Sequence, residues 1–338
     1  MQKTLLKLLA LTALLAPALM TGQSSRETLL ALSKHDHTVA IVDPMALKVL
    51  AKAPVGNDPH EVIASADGKT AYVSNYGGGS FNTLAVIDLV GRKALPSIDL
   101  GALKGPHGLD FKGGKLWFTV EGSKAIGSYD PATQKVDWIL GTGQNRTHMI
   151  YVFDDLKHMV TTNVSSGTVS MIEKTPPRIG GGPPGPPGGD WDETVVKVGN
   201  GSEGFDVSPD GKEIWVANAQ DGTVSVIDAA SKKVVDTLQA NVSSANRLKF
   251  TPDGAHVFIS GLRMENVVVV DAHTRKPIKQ IKVGHGAAGI QMQPDGARTF
   301  VACTPDNYVS VIDLKTLEVT GKIDVGPEPD GLAWSVMH

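Results

Sequence analysis

The sequence has only one cysteine, Cys303, and aromatic residues make up only 5% of it. A single cysteine cannot form an internal disulfide, so the fold depends on its apolar core even if the chain is exported. The motifs C-x-x-C-H, G-x-x-x-x-G-K-[ST] and G-x-S-x-G are absent. Their absence argues against covalent haem c, a P-loop nucleotide site and an α/β-hydrolase serine. We therefore expect no haem c and no nucleotide.

The chain also lacks a strong charge of either sign. Its formal net charge is −3, and no block of like charges interrupts it. Such a balance offers no electrostatic footprint for nucleic acid and no polybasic membrane patch. Hydrophobic residues make up 41% and charged residues 20% of the 338 residues, which is typical of a globular protein with one large core. We expect a small-molecule or protein ligand as the partner, and not nucleic acid.

Residues 1–22 are predicted to be a cleaved signal peptide. Lys3 and Lys7 precede an apolar run, and the small residues Ala16 and Ala18 follow near its end. This order is typical of a secretory signal, and the apolar run is short for a membrane span. We therefore expect a periplasmic or extracellular protein with no membrane span after cleavage. Loss of the two lysines takes the formal charge from −3 to −5.

A short run of β-forming residues that ends in an acidic residue recurs seven times. The copies end at Asp43, Asp88, Asp130, Glu173, Asp228, Asp271 and Asp313. Five of the six intervals are 42–45 residues and one is 55. Strand–turn–strand segments lie between the copies, and P-D-G turns mark 246–261 and 288–303. Four-stranded units at this period predict the blades of a β-propeller.

The two ends of the chain complete each other. Residues 331–337 supply a first strand with nothing after it, and residues 27–55 supply second, third and fourth strands with no first. Joining them makes a seventh blade and removes the free edge of the ring. We predict an all-β, seven-bladed propeller over residues 26–338, with four antiparallel strands per blade and the C-terminal strand closing the ring. The long interval contains residues 174–191, whose proline and glycine content predicts a loop insertion in blade three.

The blade sequences resemble a known repeat family. TAYVSNYGGGSFNTLAVIDL (70–89) and EIWVANAQDGTVSVIDAASKKVV (213–235) are similar to the YVTN-repeat, YncE-like propellers, which have WD40-like repeats. The resemblance covers essentially the whole mature chain and implies a seven-bladed propeller. It implies no single activity, because one fold serves many functions. Residues 113–131 are also similar to repeats of the virginiamycin B lyases, which are metal-dependent propellers.

Alignment of the first strands superimposes seven residues, which we call the mouth ring. The first strand of a blade is innermost, and its start lies at the mouth of the central channel. The mouth ring consists of His60, His107, His148, Glu203, Asn246, Ala288 and Asp330. The residue two positions further on is apolar in every blade, so the register is consistent. The sequence therefore predicts that these side chains meet at one opening.

Three imidazoles from adjacent blades suit a divalent transition metal. His60, His107 and His148 are the candidate ligands, and Zn, Cu, Fe or Ni the candidate metals. Glu203 and Asp330 are catalytic candidates, either as further ligands or as a base toward metal-bound water, and Glu121 is a third. The alternative stays open that the imidazoles only bond neighbouring carbonyls at a polar channel mouth.

Two arginines near the mouth ring are candidates for binding an anion. Arg146 and Arg247 flank ring positions, and a guanidinium can hold an anionic group with two bonds. With Asn246 and Tyr76 they form the predicted ligand-binding set. We hypothesise first a binding scaffold that works through the mouth ring. The alternatives are a metal-dependent lyase or hydrolase that uses the three histidines, and a redox-accessory propeller domain.

Overall fold

The computed structural model describes residues 26–176 and 189–338. Over these residues the chain forms 28 strands and two single-turn 3-10 helices, Gly77–Gly79 and Glu121–Ser123. None of the described helices has the length and hydropathy needed to span a membrane. The predicted signal peptide and the centre of the predicted loop insertion lie outside the described residues.

Seven four-stranded sheets follow one another along the described chain. Blade one contains β4 (Pro59–Ala64), β5 (Thr70–Asn75), β6 (Thr83–Asp88) and β7 (Lys93–Asp99). Blade two contains β8 (Pro106–Lys112), β9 (Lys115–Val120), β10 (Ala125–Asp130) and β11 (Lys135–Gly141). Blade three contains β12 (Thr147–Val152), β13 (His158–Asn163), β14 (Thr168–Thr175) and β15 (Asp190–Lys197). Blade four contains β16 (Ser202–Val207), β17 (Glu213–Asn218), β18 (Thr223–Asp228) and β19 (Lys233–Leu238).

The remaining blades repeat this plan, and the last one joins the two ends of the chain. Blade five contains β20 (Ala245–Phe250), β21 (His256–Gly261), β22 (Asn266–Asp271) and β23 (Lys276–Lys282). Blade six contains β24 (Ala287–Met292), β25 (Arg298–Cys303), β26 (Tyr308–Asp313) and β27 (Glu318–Ile323). Blade seven contains β28 (Pro329–Met337), β1 (Arg26–Ser33), β2 (Thr38–Asp43) and β3 (Lys48–Pro54).

The ring closes as the sequence predicts. In blade seven the strand order is β28–β1–β2–β3, and β28 pairs antiparallel with β1, with Ala333 opposite Leu30 and Leu332 opposite Ala31. The strand β28 also packs against β4 and β24, the first strands of the two adjacent blades. The prediction of an all-β, seven-bladed propeller is confirmed.

Apolar side chains fill the spaces between blades. Between blades four and five, Trp215 and Val224 pack with Leu248 and Val257, and each of these side chains is fully buried. Inner strands are covered by a neighbouring blade on both faces, so they read as continuous apolar runs, as sheets covered on both faces do. Val267–Val270 of β22 are at most 1% exposed for this reason. The rigid ring of blades positions the first strands around the channel.

The strands of blade three extend further than the sequence predicts. Lys174 pairs with Trp191 and Thr175 with Asp190, so both ends of the predicted 174–191 loop belong to β14 and β15. These end residues are neither proline nor glycine, so they continue the ladder.

Candidate functional site

Six of the seven mouth-ring residues line one cavity of about 380 Å³. They are His60, His107, His148, Glu203, Asn246 and Asp330. The seventh, Ala288, is 1% exposed. The other three predicted ligand-binding residues, Tyr76, Arg146 and Arg247, line the same cavity. Glu121 is buried behind it and contacts both Tyr76 and His148. The structure thus brings all the predicted site residues together, and their roles stay predictions.

A β-bulge in every first strand aims the mouth-ring side chains. In blade one, Pro59 lies opposite Asn75 and Val62 opposite Val73, so the first strand holds one residue more than its partner. The same shift occurs in the other six blades. Strict alternation would place a ring residue on the same face as the buried apolar residue two positions on. Since a bulge re-aims a side chain, the ring residues face the channel instead.

A residue with left-handed backbone lies two positions before each mouth-ring residue. Its φ is between 50° and 72° in all seven blades: Asp58, Gly105, Arg146, Gly201, Ser244, Gly286 and Glu328. The carbonyl of this residue accepts a hydrogen bond of 2.7–3.2 Å from the amide of the residue that follows the second strand. We call this the mouth turn. It holds the loops after the second strands, which carry Lys34, Tyr76 and Glu121, beside the mouth ring.

His148 lies between two carboxylates. Its Nδ1 is 2.5 Å from Oε1 of Glu121, and its Nε2 is 2.8 Å from Oε2 of Glu203. The other oxygen of Glu121 accepts hydrogen bonds from the Tyr76 hydroxyl and from Nε of Arg146, the latter at 3.3 Å. The side chains of His148 and Glu121 are 3% and 2% exposed. This buried group is therefore held together by charge.

The charges of this group shift its pKa values in the directions that favour ion pairs. Burial opposes the charged form of His148, but Glu203 and Glu121 outweigh it and raise the pKa of the imidazole. Burial likewise opposes ionisation of Glu203, but His148, Arg247 and Arg146 lower its pKa to about 2. The protonated form of His148 is thus favoured, which makes this imidazole a poorer base and a poorer metal ligand than a neutral one.

We expect this group to make stability greatest in mildly acidic solution. The contribution of Glu203 is present above its ordinary pKa of 4.5 and is lost as the pH falls toward about 2. The contribution of His148 is complete below its ordinary pKa of 6.5 and is lost as the pH rises through its raised pKa in the folded state. Thermal unfolding across this range checks the prediction. An E203Q variant that loses as much stability on acidification as the wild type would contradict it.

The two other histidines form a chain of hydrogen bonds that leads out to the solvent. Nε2 of His107 lies 3.1 Å from Nδ1 of His60, and Nε2 of His60 lies 3.0 Å from Oδ1 of Asp58 and 2.9 Å from Nζ of Lys34. Burial and the nearby charge of His148 lower the pKa of His107, which favours the neutral form of this imidazole. Its Nδ1 is buried and has no hydrogen-bond partner among the described residues.

An ion pair crosses the channel behind the mouth ring. Arg247 donates from Nη2 to Glu61, and it also donates from Nη1 to the Asn246 carbonyl at 3.2 Å. Glu61 is in blade one and Arg247 in blade five, so the pair joins blades that are not neighbours. Each side chain is 12% exposed. Arg247 lines the cavity, so this ion pair brings a charged group to the cavity wall.

Lys34 and Asp58 are functional-site residues that were not predicted from the sequence. Nζ of Lys34 lies 3.3 Å from Asp330 and 3.7 Å from Asp58, so it neutralises carboxylates at the cavity edge. Lys34 follows a second strand, at the same place as Tyr76 and Glu121. Asp58 is at the mouth turn. Both positions, the residue after the second strand and the residue at the mouth turn, recur in all seven repeats. Alignment of the repeats at these positions is the sequence signal that points to both residues.

Two of the three candidate metal ligands belong to a group of residues whose possible ligand atoms lie close together. The group that brings possible ligand atoms within 4.8 Å of one another, among the described residues, is His107, Glu121 and His148. Glu121 takes the place of His60, which bonds outward to Asp58. In addition, both nitrogens of His148 face carboxylates.

Solved structures share the fold of this chain. A protein of unknown function from Desulfotomaculum acetoxidans DSM 771 is 12% identical, with a TM-score of 0.71 over 92% of this chain and 99% of that one. Kuenenia stuttgartiensis hydrazine synthase is 19% identical, with a TM-score of 0.69 over 85% and 92%. The dihydro-heme d1 dehydrogenase NirN in complex with DHE is 13% identical, with a TM-score of 0.63 over 90% and 74%. At these identities the likeness concerns the fold alone. No curated protein matches the chain.

A family match corrects the cofactor prediction. Residues 108–297 match the model described as Cytochrome D1 heme domain. The prediction of a divalent transition metal without haem c is therefore wrong, because this family points to a haem-type group. The absent C-x-x-C-H motif bears only on covalent attachment, and a haem iron can be held by a single histidine. Since the match spans more than half of the chain, this protein belongs to the cytochrome D1 heme domain family.

Proposed function

We propose that this protein is a binding scaffold that holds a haem-type ligand in the cavity at the mouth of its channel. The family match suggests the class of ligand. The cavity of about 380 Å³ falls at the lower end of the roughly 300–1,000 Å³ that is usual for small-molecule sites. The observation that carries the proposal is the unpartnered Nδ1 of His107, a buried atom of a residue that lines the cavity.

His107 has the properties of an iron ligand. Ligation requires a neutral imidazole, and the lowered pKa of His107 provides one. A ligating imidazole usually donates its other N–H to a second group that fixes its tautomer. Here Nε2 can donate to Nδ1 of His60, and Nε2 of His60 can donate to Asp58. In this tautomer the ammonium of Lys34 pairs with the carboxylates of Asp330 and Asp58 and not with the imidazole. Donation from Nε2 leaves the lone pair of Nδ1 free on His107. His148, whose protonated form is favoured, is less suited to the same role.

Cationic side chains of the cavity suit the carboxylates of such a ligand. Lys34, Arg146 and Arg247 come from blades seven, three and five, so they surround the cavity. Each is paired with an acidic side chain, which keeps these charges balanced when no ligand carboxylate is present. Leu262 and Pro305 add a small apolar surface. A bound haem-type group would supply redox chemistry at its iron. His107 would hold the iron, and the cationic side chains would hold the carboxylates at the edge of the ring.

Titration of the purified protein with haemin, followed by absorption spectroscopy, tests this proposal. We expect saturable binding, and an H107A variant is expected to bind at least about tenfold more weakly and to lose the spectrum of a histidine-ligated iron. The control is H273A, since His273 is exposed and makes no side-chain hydrogen bond among the described residues. No saturable binding to the wild type, or equal binding by H107A, would refute the proposal.

We also propose export to the periplasm or the extracellular space, supported by Lys3, Lys7 and the apolar run that follows them. Detection of the mature chain outside the cytoplasm, with its first residues removed, would test the export proposal.

We also propose that the chain is a YVTN-repeat propeller, supported by the blade sequences of residues 70–89 and 213–235.

A further inference from the structure

The mouth turn places one cavity residue in a backbone conformation that its side chain disfavours. Three blades use glycine at this turn, which adopts positive φ freely. Blade three has Arg146 there, with φ of 55°. A residue with a Cβ is strained in this region of backbone conformation. The hydrogen bond that the Val164 amide donates to the Arg146 carbonyl involves backbone atoms only, so any residue could form it. The turn therefore explains the positive φ but not the arginine.

The guanidinium of Arg146 is only partly used. Its Nε donates to Glu121, and the guanidinium lies beside the Tyr76 hydroxyl. Among the described residues, Nη1 and Nη2 have no partner at hydrogen-bond geometry. The side chain is 44% exposed and lines the cavity. Arg247 differs, because it uses both of its terminal nitrogens and is 12% exposed. Arg146 thus presents two parallel donors to the cavity, which is the geometry that a carboxylate accepts.

Glu121 fixes the direction of these donors. It is buried and accepts from the Tyr76 hydroxyl and from His148 as well as from Nε of Arg146. A side chain already held at Nε loses less conformational entropy when its terminal nitrogens bind a ligand. The two terminal nitrogens of Arg146 are therefore partly preorganised for binding.

We propose that the free end of Arg146 is a carboxylate-binding site, and that ligand binding is the reason why an arginine occupies this strained turn. The ligands of the cavity are therefore small molecules that carry at least one carboxylate facing blade three. This inference deepens the proposed function by assigning one contact of the ligand. It does not require the ligand to contain iron or a tetrapyrrole ring.

Calorimetric titration with citrate tests the inference, because citrate carries carboxylates but neither iron nor a ring. We expect the wild type to bind citrate, and an R146G variant to bind it at least about tenfold more weakly, since a charge-assisted pair of bonds is lost. The matched control is S244G, which makes the same change at the mouth turn of blade five, where φ is 55°. S244G is expected to bind citrate as the wild type does.

Thermal unfolding separates binding from folding. In R146G the glycine relieves the backbone strain at the turn, which stabilises the fold, while Glu121 loses one hydrogen-bond donor, which destabilises it. Because the two effects oppose each other, the melting temperature is expected to stay within about 3 °C of the wild type. Wild-type protein that does not bind citrate, or R146G that binds it with unchanged affinity, would overturn the inference. Failure of haemin binding would refute the proposed function alone, since the citrate measurement would still be decisive for Arg146.

Discussion

Deletion of residues 329–338 is expected to abolish the folded propeller. These residues include all of β28, the innermost strand of blade seven, which pairs with β1 and packs against β4 and β24. Their loss would uncover the edge of β1 and buried side chains such as Leu29 and Leu30. We expect a loss greater than about 5 kcal/mol, comparable to the roughly 5–15 kcal/mol total stability of a domain. Circular dichroism and sedimentation would show an unfolded or aggregated chain.

Two controls separate closure of the ring from mere shortening of the chain. Deletion of His338 alone removes an exposed residue beyond β28 and is expected to have no effect. Because Met337 pairs with Arg26, a short linker can join residue 338 to residue 26 in a chain without residues 1–25, with new termini opened between the exposed Gly101 and Ala102. This permuted chain keeps every strand pair and is expected to fold. A shortened chain with wild-type unfolding behaviour would disprove the role of β28.

Replacement of His148 by leucine is expected to be the most destabilising single substitution at the site. It leaves Glu121 and Glu203, whose side chains are 2% and 16% exposed, without the imidazolium between them. Loss of one partner from a buried ion pair typically costs about 3–5 kcal/mol, because a buried charge is left uncompensated. Denaturant unfolding at neutral pH would show this loss.

Acid provides the internal control for this prediction. Without the imidazolium, burial raises the pKa values of the two carboxyls, so they take up protons as the pH falls and the unpaired charge disappears. The stability gap between H148L and the wild type should therefore narrow on acidification. A second control, H148L combined with E121Q, is expected to recover part of the stability at neutral pH. A gap that does not change with pH would point to lost packing in place of lost charge.

Repetition made the fold predictable. Seven copies of one strand pattern gave the number of blades, and the incomplete ends of the chain gave the closure of β28 on β1. The mouth ring also followed from the repeat, because equivalent positions in equivalent blades meet at one channel. The partners of each ion pair could not be predicted from the repeat, because a sequence pattern contains no information on distances across the channel. The pair between Glu61 and Arg247 joins blades that are far apart in the ring.

The sequence by itself determined which residues meet, because the period of the repeat places three imidazoles, two arginines and several carboxylates at one opening. Only the tertiary structure decided what each of them does there. The bulge in each first strand turns the ring residues out of the core, and the mouth turn sets Asp58 and Arg146 beside them. The pKa values follow from these contacts, because two carboxylates raise the pKa of His148 while burial lowers the pKa of the neighbouring His107. Identical side chains therefore acquire different chemistry from surroundings that depend on distances of a few ångströms.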